Sequence, residues 1–73
     1  MNARQRKRAN AELKARIENL HSQVEGLQEL IGDAEANLGH AMNGADTQGD
    51  WEAAYGEAAN QVSEAEGYLS AAE

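Results

Sequence analysis

The chain has 73 residues, no cysteine and a formal net charge of −7. A chain of this length buries only about 60% of its unfolded surface and is marginally stable alone. Without cysteine, it has neither disulfides nor thiolate metal ligands as additional support. A second copy is therefore the expected source of stability. Because no run of about 18 apolar residues occurs, we expect no membrane-spanning helix and no membrane partner.

Basic and acidic residues are strongly segregated along the chain. All six basic residues and one acidic residue lie in positions 1–16, which gives that segment +5, whereas the other twelve acidic residues give positions 17–73 a charge of −12. A basic end attracts nucleic acid, whereas an acidic body repels it. The two parts of the chain therefore predict different partners.

In chain order, the sequence predicts a basic N-terminal arm (1–8), a first helix (9–42), a loop (43–50) and a second helix (51–72). The loop NGADTQGD is rich in residues that favour turns, and Asp50 suits the N-cap of the second helix. A short loop makes the two helices antiparallel neighbours. The second helix is shorter, so we expect the basic end to project past an all-α helical hairpin.

Apolar residues in both helices recur at alternating steps of four and three, the spacing of a heptad repeat. β-Branched residues at the first apolar position and leucine at the second favour two-stranded coiled coils. We therefore expect two hairpins to dimerise as a coiled coil or four-helix bundle. The residues assigned to this dimer seam are Leu13, Ile17, Leu20, Val24, Leu27, Ile31, Leu38, Trp51, Tyr55, Val62 and Leu69.

Three features each leave two interpretations open. Asn10, one heptad before Ile17, either fixes the dimer register or lies at a solvated, frayed helix start. Trp51 and Tyr55 either close the core beside the loop or form an exposed anchor for a partner. The glycines within the helices, each costing about 0.5–1 kcal/mol relative to alanine, either allow another helix to approach closely or have no specific role.

No set of residues predicts catalysis, a cofactor or a metal site. The segment from Asp46 to Glu57 matches a calcium loop at several ligand positions, but Trp51 stands where the loop requires glycine. His21 and His40 lie about five helical turns apart and are expected on the surface. Serine and threonine lack a neighbouring base, and the carboxylates lie on solvated faces. The sequence therefore predicts a non-enzymatic protein.

An acidic coiled coil suits an interaction protein that binds or inhibits a partner with a basic surface. A nucleic-acid mimic is one specific form of this function. The predicted acidic partner-binding face comprises Glu18, Glu25, Glu29, Asp33, Glu35, Glu52, Glu57, Glu64 and Glu66.

Two alternatives compete with this function. In the first, a dimer holds nucleic-acid phosphates with Arg4, Arg6, Lys7 and Arg8. In the second, the protein is a structural subunit of a larger assembly. The basic start lacks a following apolar signal segment, which predicts a cytoplasmic protein. Its small size and Ala/Gly-rich helices suit an accessory protein of a phage or mobile element, acting in the host cytoplasm.

Overall fold

Three helices account for nearly all of the chain in a computed structural model, which describes residues 2–23 and 26–72. They are α1 (Ala3–Gln23), α2 (Gln28–Asn43) and α3 (Gln48–Ala72), and the described part of the chain contains no strand. The all-α prediction is thus confirmed. The long axis of 38 Å matches the length of α3, whose 25 residues each rise about 1.5 Å.

The first helix begins six residues earlier than the sequence analysis predicted. The side chains and backbone of Asn2 and Gln5 form a reciprocal pair: the Asn2 N–H donates to Gln5 Oε1 and the Gln5 N–H donates to Asn2 Oδ1, both at 2.9 Å. This capping-box arrangement satisfies two amides that a helix start otherwise leaves unpaired. Residues 3–8 of the predicted basic arm are therefore the first turns of α1.

The single helix predicted for residues 9–42 is also wrong. The chain leaves α1 at Gln23, turns at Gly26 and Leu27, and enters α2 at Gln28. Leu27 precedes α2 without any side-chain cap, and the heptad spacing continues through the turn. The sequence therefore carries no capping signal at this point. Val24 and Glu25 lie outside the described residues.

The third helix begins at Gln48 rather than at Trp51. The Asp50 N–H donates to Thr47 Oγ1 at 3.1 Å, so Thr47 is the capping residue and Asp50 lies in the first turn of the helix. Threonine followed three residues later by aspartate is a recognised start signal. The connection between α2 and α3 is consequently limited to residues 44–47.

One hydrophobic core joins all three helices, which form a bundle rather than a two-helix hairpin. Leu13 is 1% exposed and Val62 is fully buried. The nine buried residues of this core are Leu13, Ile17, Leu20, Ile31, Ala34, Leu38, Ala58, Val62 and Ala65. Leu27, Tyr55 and Leu69 are partly buried against it. The described residues assigned to the dimer seam therefore pack within one chain.

A second, smaller core closes the end of the bundle where α1 begins. It contains Ala41, Trp51 and Ala54, with Ala9, Ala45 and Tyr55 packed against them. The Trp51 and Tyr55 rings stack with centroids 4.7 Å apart. Trp51 is thus a core residue, as the first interpretation of the aromatic pair predicted.

Hydrogen bonds between α1 and α3 fix their relative direction. The Trp51 indole N–H donates to Asn10 Oδ1, and farther along both helices Arg16 bonds to Glu66. The two helices are therefore parallel, and α2 runs between them in the opposite direction. The start of α1 packs against α3 instead of projecting past the bundle.

Homodimerisation stays a prediction, because no contact within a single chain bears on it. The burial of the seam residues nevertheless limits how two copies in this conformation could meet. Any such dimer must use surfaces other than the apolar stripe of α1, since that stripe already contacts α2 and α3.

Candidate interaction surfaces

Charge is divided between the helices of the bundle. All six lysine and arginine residues lie on α1, which also carries two acidic residues and so has a net charge of +4 with histidine neutral. By contrast, α2 carries three acidic residues and α3 carries five, and neither helix contains a lysine or arginine. Folding thus turns a charge gradient along the chain into one basic helix beside two acidic ones.

The basic residues of α1 differ in their surroundings. Arg4, Lys7 and Arg8 are exposed, and their spacing of three and four residues makes them neighbours on the helix surface. Arg6 is partly buried, and its Nη1 donates to Gln48 Oε1 of α3 at 2.7 Å. The four predicted phosphate-binding residues are therefore on a formed helix, with Arg6 also joining that helix to α3.

Farther along α1, Arg16 pairs with Glu66 of α3. The guanidinium contacts both carboxylate oxygens, with Nε to Oε2 at 3.1 Å and Nη2 to Oε1 at 2.5 Å. The hydrogen bond to Arg16 lowers the pKa of the Glu66 carboxyl below its ordinary value, and the same bond raises the pKa of Arg16. This bidentate pair joins α1 to α3 at the surface.

A cavity of about 500 Å³ lies between the first half of α1 and the end of α2. We call it the α1 cavity. The residues that line it are Ala3, Arg6, Lys7, Asn10, Ala11, Lys14, Ala41, Met42, Asn43, Ala45 and Trp51. Three of these side chains carry a positive charge and none carries a carboxylate.

The described acidic residues are exposed, except for Glu66, which is partly exposed, but they do not form one continuous face. Glu35 pairs with His21, and Glu66 pairs with Arg16. Glu52 accepts a hydrogen bond from Gln48. Glu18 lies near Glu35 in a groove between α1 and α2, and Glu57 is exposed on α3.

Three acidic residues do come together, at the end of the bundle where α1 turns into α2. Glu29 and Asp33 of α2 and Glu64 of α3 line a shallow cavity of about 400 Å³ with Leu30 and Tyr68. Tyr68 is 55% exposed. We call these five residues the Tyr68 surface, which combines an accessible aromatic ring with three carboxylates.

The two histidines are held at the surface by carboxylates of neighbouring helices. His21 of α1 bonds to Glu35 of α2, and His40 of α2 lies 3.3 Å from Asp50 of α3. Within the described ranges, no group of three histidine, aspartate or glutamate residues could hold a metal ion. These pairs therefore act as links between helices.

Asn10 and Tyr68 are the two positions that sequence reasoning placed least well. Asn10 is buried and bonded to Trp51, whereas both sequence interpretations placed it in a dimer seam or in solvent. The capping pair of Asn2 and Gln5 was the sequence signal that could have corrected this prediction. It starts α1 at Ala3, so that Asn10 lies inside the helix and not at its frayed end. Tyr68 directly precedes the seam residue Leu69, where the sequence analysis would have it widen the apolar stripe of the helix, but the packing of α3 leaves it 55% exposed.

None of the helices in the described part combines the length and apolarity needed to cross a membrane. Comparisons with family models, curated proteins and solved structures gave no match to this chain.

Proposed function

We propose that this chain is a non-enzymatic interaction protein that binds a basic protein partner through exposed acidic residues of α2 and α3. The observation that carries the proposal is the segregation of the basic residues: α2 and α3 together hold eight acidic residues and no lysine or arginine. A surface of one sign steers an oppositely charged partner and disfavours others. Binding is accordingly expected to weaken as salt is added.

The Tyr68 surface is the proposed centre of this contact. Tyrosine is enriched among residues that dominate binding energy at interfaces, and an exposed ring can stack against a guanidinium or ammonium group. Glu29, Asp33 and Glu64 lie beside the ring and offer acceptors for charge-assisted hydrogen bonds. An arginine-rich or lysine-rich surface has the matching chemistry.

A basic surface that fits these carboxylates also fits nucleic-acid phosphates. Occupation by this protein would then exclude nucleic acid, which makes inhibition by mimicry the proposed mode of action. The exposed carboxylates lack the burial that general acid chemistry usually requires, which supports a role without catalysis. Action in a host cytoplasm as a phage-encoded inhibitor is an extension of the same proposal.

The proposal is tested by comparing two triple variants with equal charge changes. Glu29→Gln/Asp33→Asn/Glu64→Gln neutralises the Tyr68 surface, and Glu12→Gln/Glu18→Gln/Asp46→Asn neutralises three exposed acids outside α2 and α3. A partner is first captured from lysate and purified, and calorimetry then gives its affinity for each protein. We expect the first variant to bind about tenfold or more weakly and the control to bind nearly as the wild type. Equal affinities, or a partner without a basic surface, would contradict the proposal.

Nucleic-acid binding through α1 is a second candidate function. It is favoured by the exposure of Arg4, Lys7 and Arg8 on one stretch of formed helix. Fluorescence anisotropy with labelled duplex DNA and single-stranded RNA tests it, using the Arg4→Ala/Arg6→Ala/Lys7→Ala/Arg8→Ala variant as comparison. On duplex DNA, each neutralised phosphate contributes about −0.9 to the logarithmic salt slope. Binding retained in the variant would exclude this candidate.

No specific observation favours the third candidate, a structural subunit.

A further inference from the structure

The α1 cavity presents hydrogen-bond donors and positive charge without a balancing carboxylate. Arg6, Lys7 and Lys14 line it, and none of the three forms an ion pair with another described residue. Arg6 uses Nη1 to hold Gln48, which leaves other donors of its guanidinium available. The charge in this cavity is therefore uncompensated from within the described chain.

Asn10 supplies a buried polar group at the same place. Its side chain is held by the hydrogen bond that Oδ1 accepts from the Trp51 indole N–H at 2.9 Å, and the residue is only 8% exposed. Its Nδ2 amide donates to no group in the described part of the chain, and the side chain lines the cavity. No fully buried side-chain nitrogen or oxygen of the described residues lacks a hydrogen-bond partner, so the Asn10 amide reaches the open space of the cavity. The bond to Trp51 thus leaves the amide N–H groups of Asn10 for a ligand.

Apart from Asn43, the remaining lining of the α1 cavity consists of alanine, methionine and tryptophan side chains. Ala11, Ala41, Ala45, Met42 and Trp51 form much of this lining, and Met42 is 45% exposed. A ligand that fills about 500 Å³ falls within the usual size range of small-molecule sites. The lining therefore suits a molecule with an anionic group at one end and a flat or apolar body at the other.

We propose that the α1 cavity binds a nucleotide, with its phosphate held by Lys7, Lys14 and the Asn10 amide and its base against the apolar lining. Phosphate offers several strong acceptor oxygens to ammonium, guanidinium and amide donors. Free nucleotides and nucleotide units of a nucleic acid share this chemistry. The site is distinct from the Tyr68 surface, which lies at the other end of the bundle. It also differs from the second candidate function in excluding Arg4 and Arg8.

Titration with adenosine monophosphate tests the proposal, with adenosine as the matched ligand that lacks phosphate. Calorimetry gives the affinity, and the indole N–H signal of Trp51 in an NMR spectrum reports binding at the cavity, because this is the sole tryptophan. We expect adenosine monophosphate or a short single-stranded oligodeoxynucleotide to bind saturably and shift that signal, and adenosine not to. Binding of the monophosphate identifies a free nucleotide as sufficient, whereas binding of the oligonucleotide alone identifies a nucleic acid.

Matched variants separate the cavity from the general charge of α1. Lys14→Gln removes a charge that lines the cavity, and Arg16→Gln removes an equal charge two residues away on the opposite side of α1. Asn10→Asp keeps an acceptor for Trp51 and replaces the amide donor with an anion. We expect Lys14→Gln and Asn10→Asp each to weaken binding about tenfold or more, and Arg16→Gln to bind as the wild type.

Circular dichroism confirms that each variant is folded before it is titrated. Failure of both phosphate-bearing ligands to bind would overturn the proposal. Equal binding by the Lys14→Gln and Arg16→Gln variants would also overturn it. Either result leaves the acidic-surface proposal standing, since none of these residues belongs to the Tyr68 surface.

Discussion

Trp51 and Asn10, 41 residues apart in the chain, meet in the core through a 2.9 Å hydrogen bond from the indole N–H to the asparagine Oδ1. Asn10→Leu is expected to lower the free energy of unfolding by about 1–3 kcal/mol, because it leaves a buried donor without an acceptor. Urea denaturation followed by circular dichroism measures this loss. Asn19→Leu, at an exposed position of the same helix, is the matched control and is expected to change stability by less than about 0.5 kcal/mol. Equal effects of the two substitutions would argue against the buried bond.

Leu13 lies at the centre of the intrachain core. Leu13→Ala is expected to cost about 2–5 kcal/mol, since it removes buried methyl groups and leaves a cavity. If Leu13 is buried within one chain, the denaturation midpoints of wild type and variant are expected to be independent of protein concentration. If a second copy buries it, both midpoints are expected to rise with protein concentration. Urea denaturation over a wide range of concentrations decides between the two. A midpoint that rises with concentration would restore the coiled-coil dimer.

Four glycines beyond the first turn of their helices have open space where a side chain would project. A Cβ atom built at Gly32, Gly39, Gly56 or Gly67 meets no heavy atom within 4 Å. Alanine at each of these positions is therefore expected to stabilise the protein by about 0.5–1 kcal/mol through its higher helix propensity. Thermal and urea denaturation of the single variants measure the gain.

Gly44 provides the contrasting position for this series. A Cβ atom there would lie 2.9 Å from His40 Nδ1, so Gly44→Ala must displace the ring that faces Asp50. We expect this substitution to give no gain in stability. If the four helix variants also failed to gain stability, those glycines would have to accommodate a close neighbour such as a second chain.

The Arg16–Glu66 pair gives a pH dependence of known sign. The pKa of Glu66 is lowered in the folded protein, so its contribution is present above the unfolded-state pKa and is lost as pH falls through the folded-state pKa. Both side chains are about two-fifths exposed, which limits the contribution to about 0.2–1 kcal/mol. The stability difference between wild type and Glu66→Gln is therefore expected to favour the wild type at neutral pH and to shrink towards about pH 3. A difference that grows on acidification would contradict this assignment.

Core residues were predictable from sequence because apolar spacing determines which side of a helix avoids water. Ile17, Leu38 and Val62 are buried as their spacing indicated. Helix boundaries were less predictable. Two helix starts are marked only by short capping pairs, Asn2 with Gln5 and Thr47 with Asp50, which are easily overlooked beside the long heptad repeat. The start of α2 at Gln28 has no side-chain cap at all.

The candidate surfaces were only partly predictable. Exposure of the acidic residues followed from their place outside the apolar stripes. Their grouping did not, because Glu29 and Asp33 meet Glu64 only when α2 and α3 are antiparallel. Likewise, the pairing of Glu66 with Arg16 needs α1 to lie beside α3. Contacts between residues far apart in the chain depend on how the helices are arranged.

By itself, the sequence determined that the chain is helical, which residues avoid water, and that its charges are segregated. Local spacing and composition suffice for these properties because each depends on residues within a few turns. Only the tertiary structure decided that the stripe of α1 packs against α2 and α3 of the same chain. The physical reason is that the chain reverses direction between α1 and α2. A single helix over this range would leave much of its apolar stripe for a second copy to cover, whereas α2, once turned back, covers the stripe of α1 within the same chain.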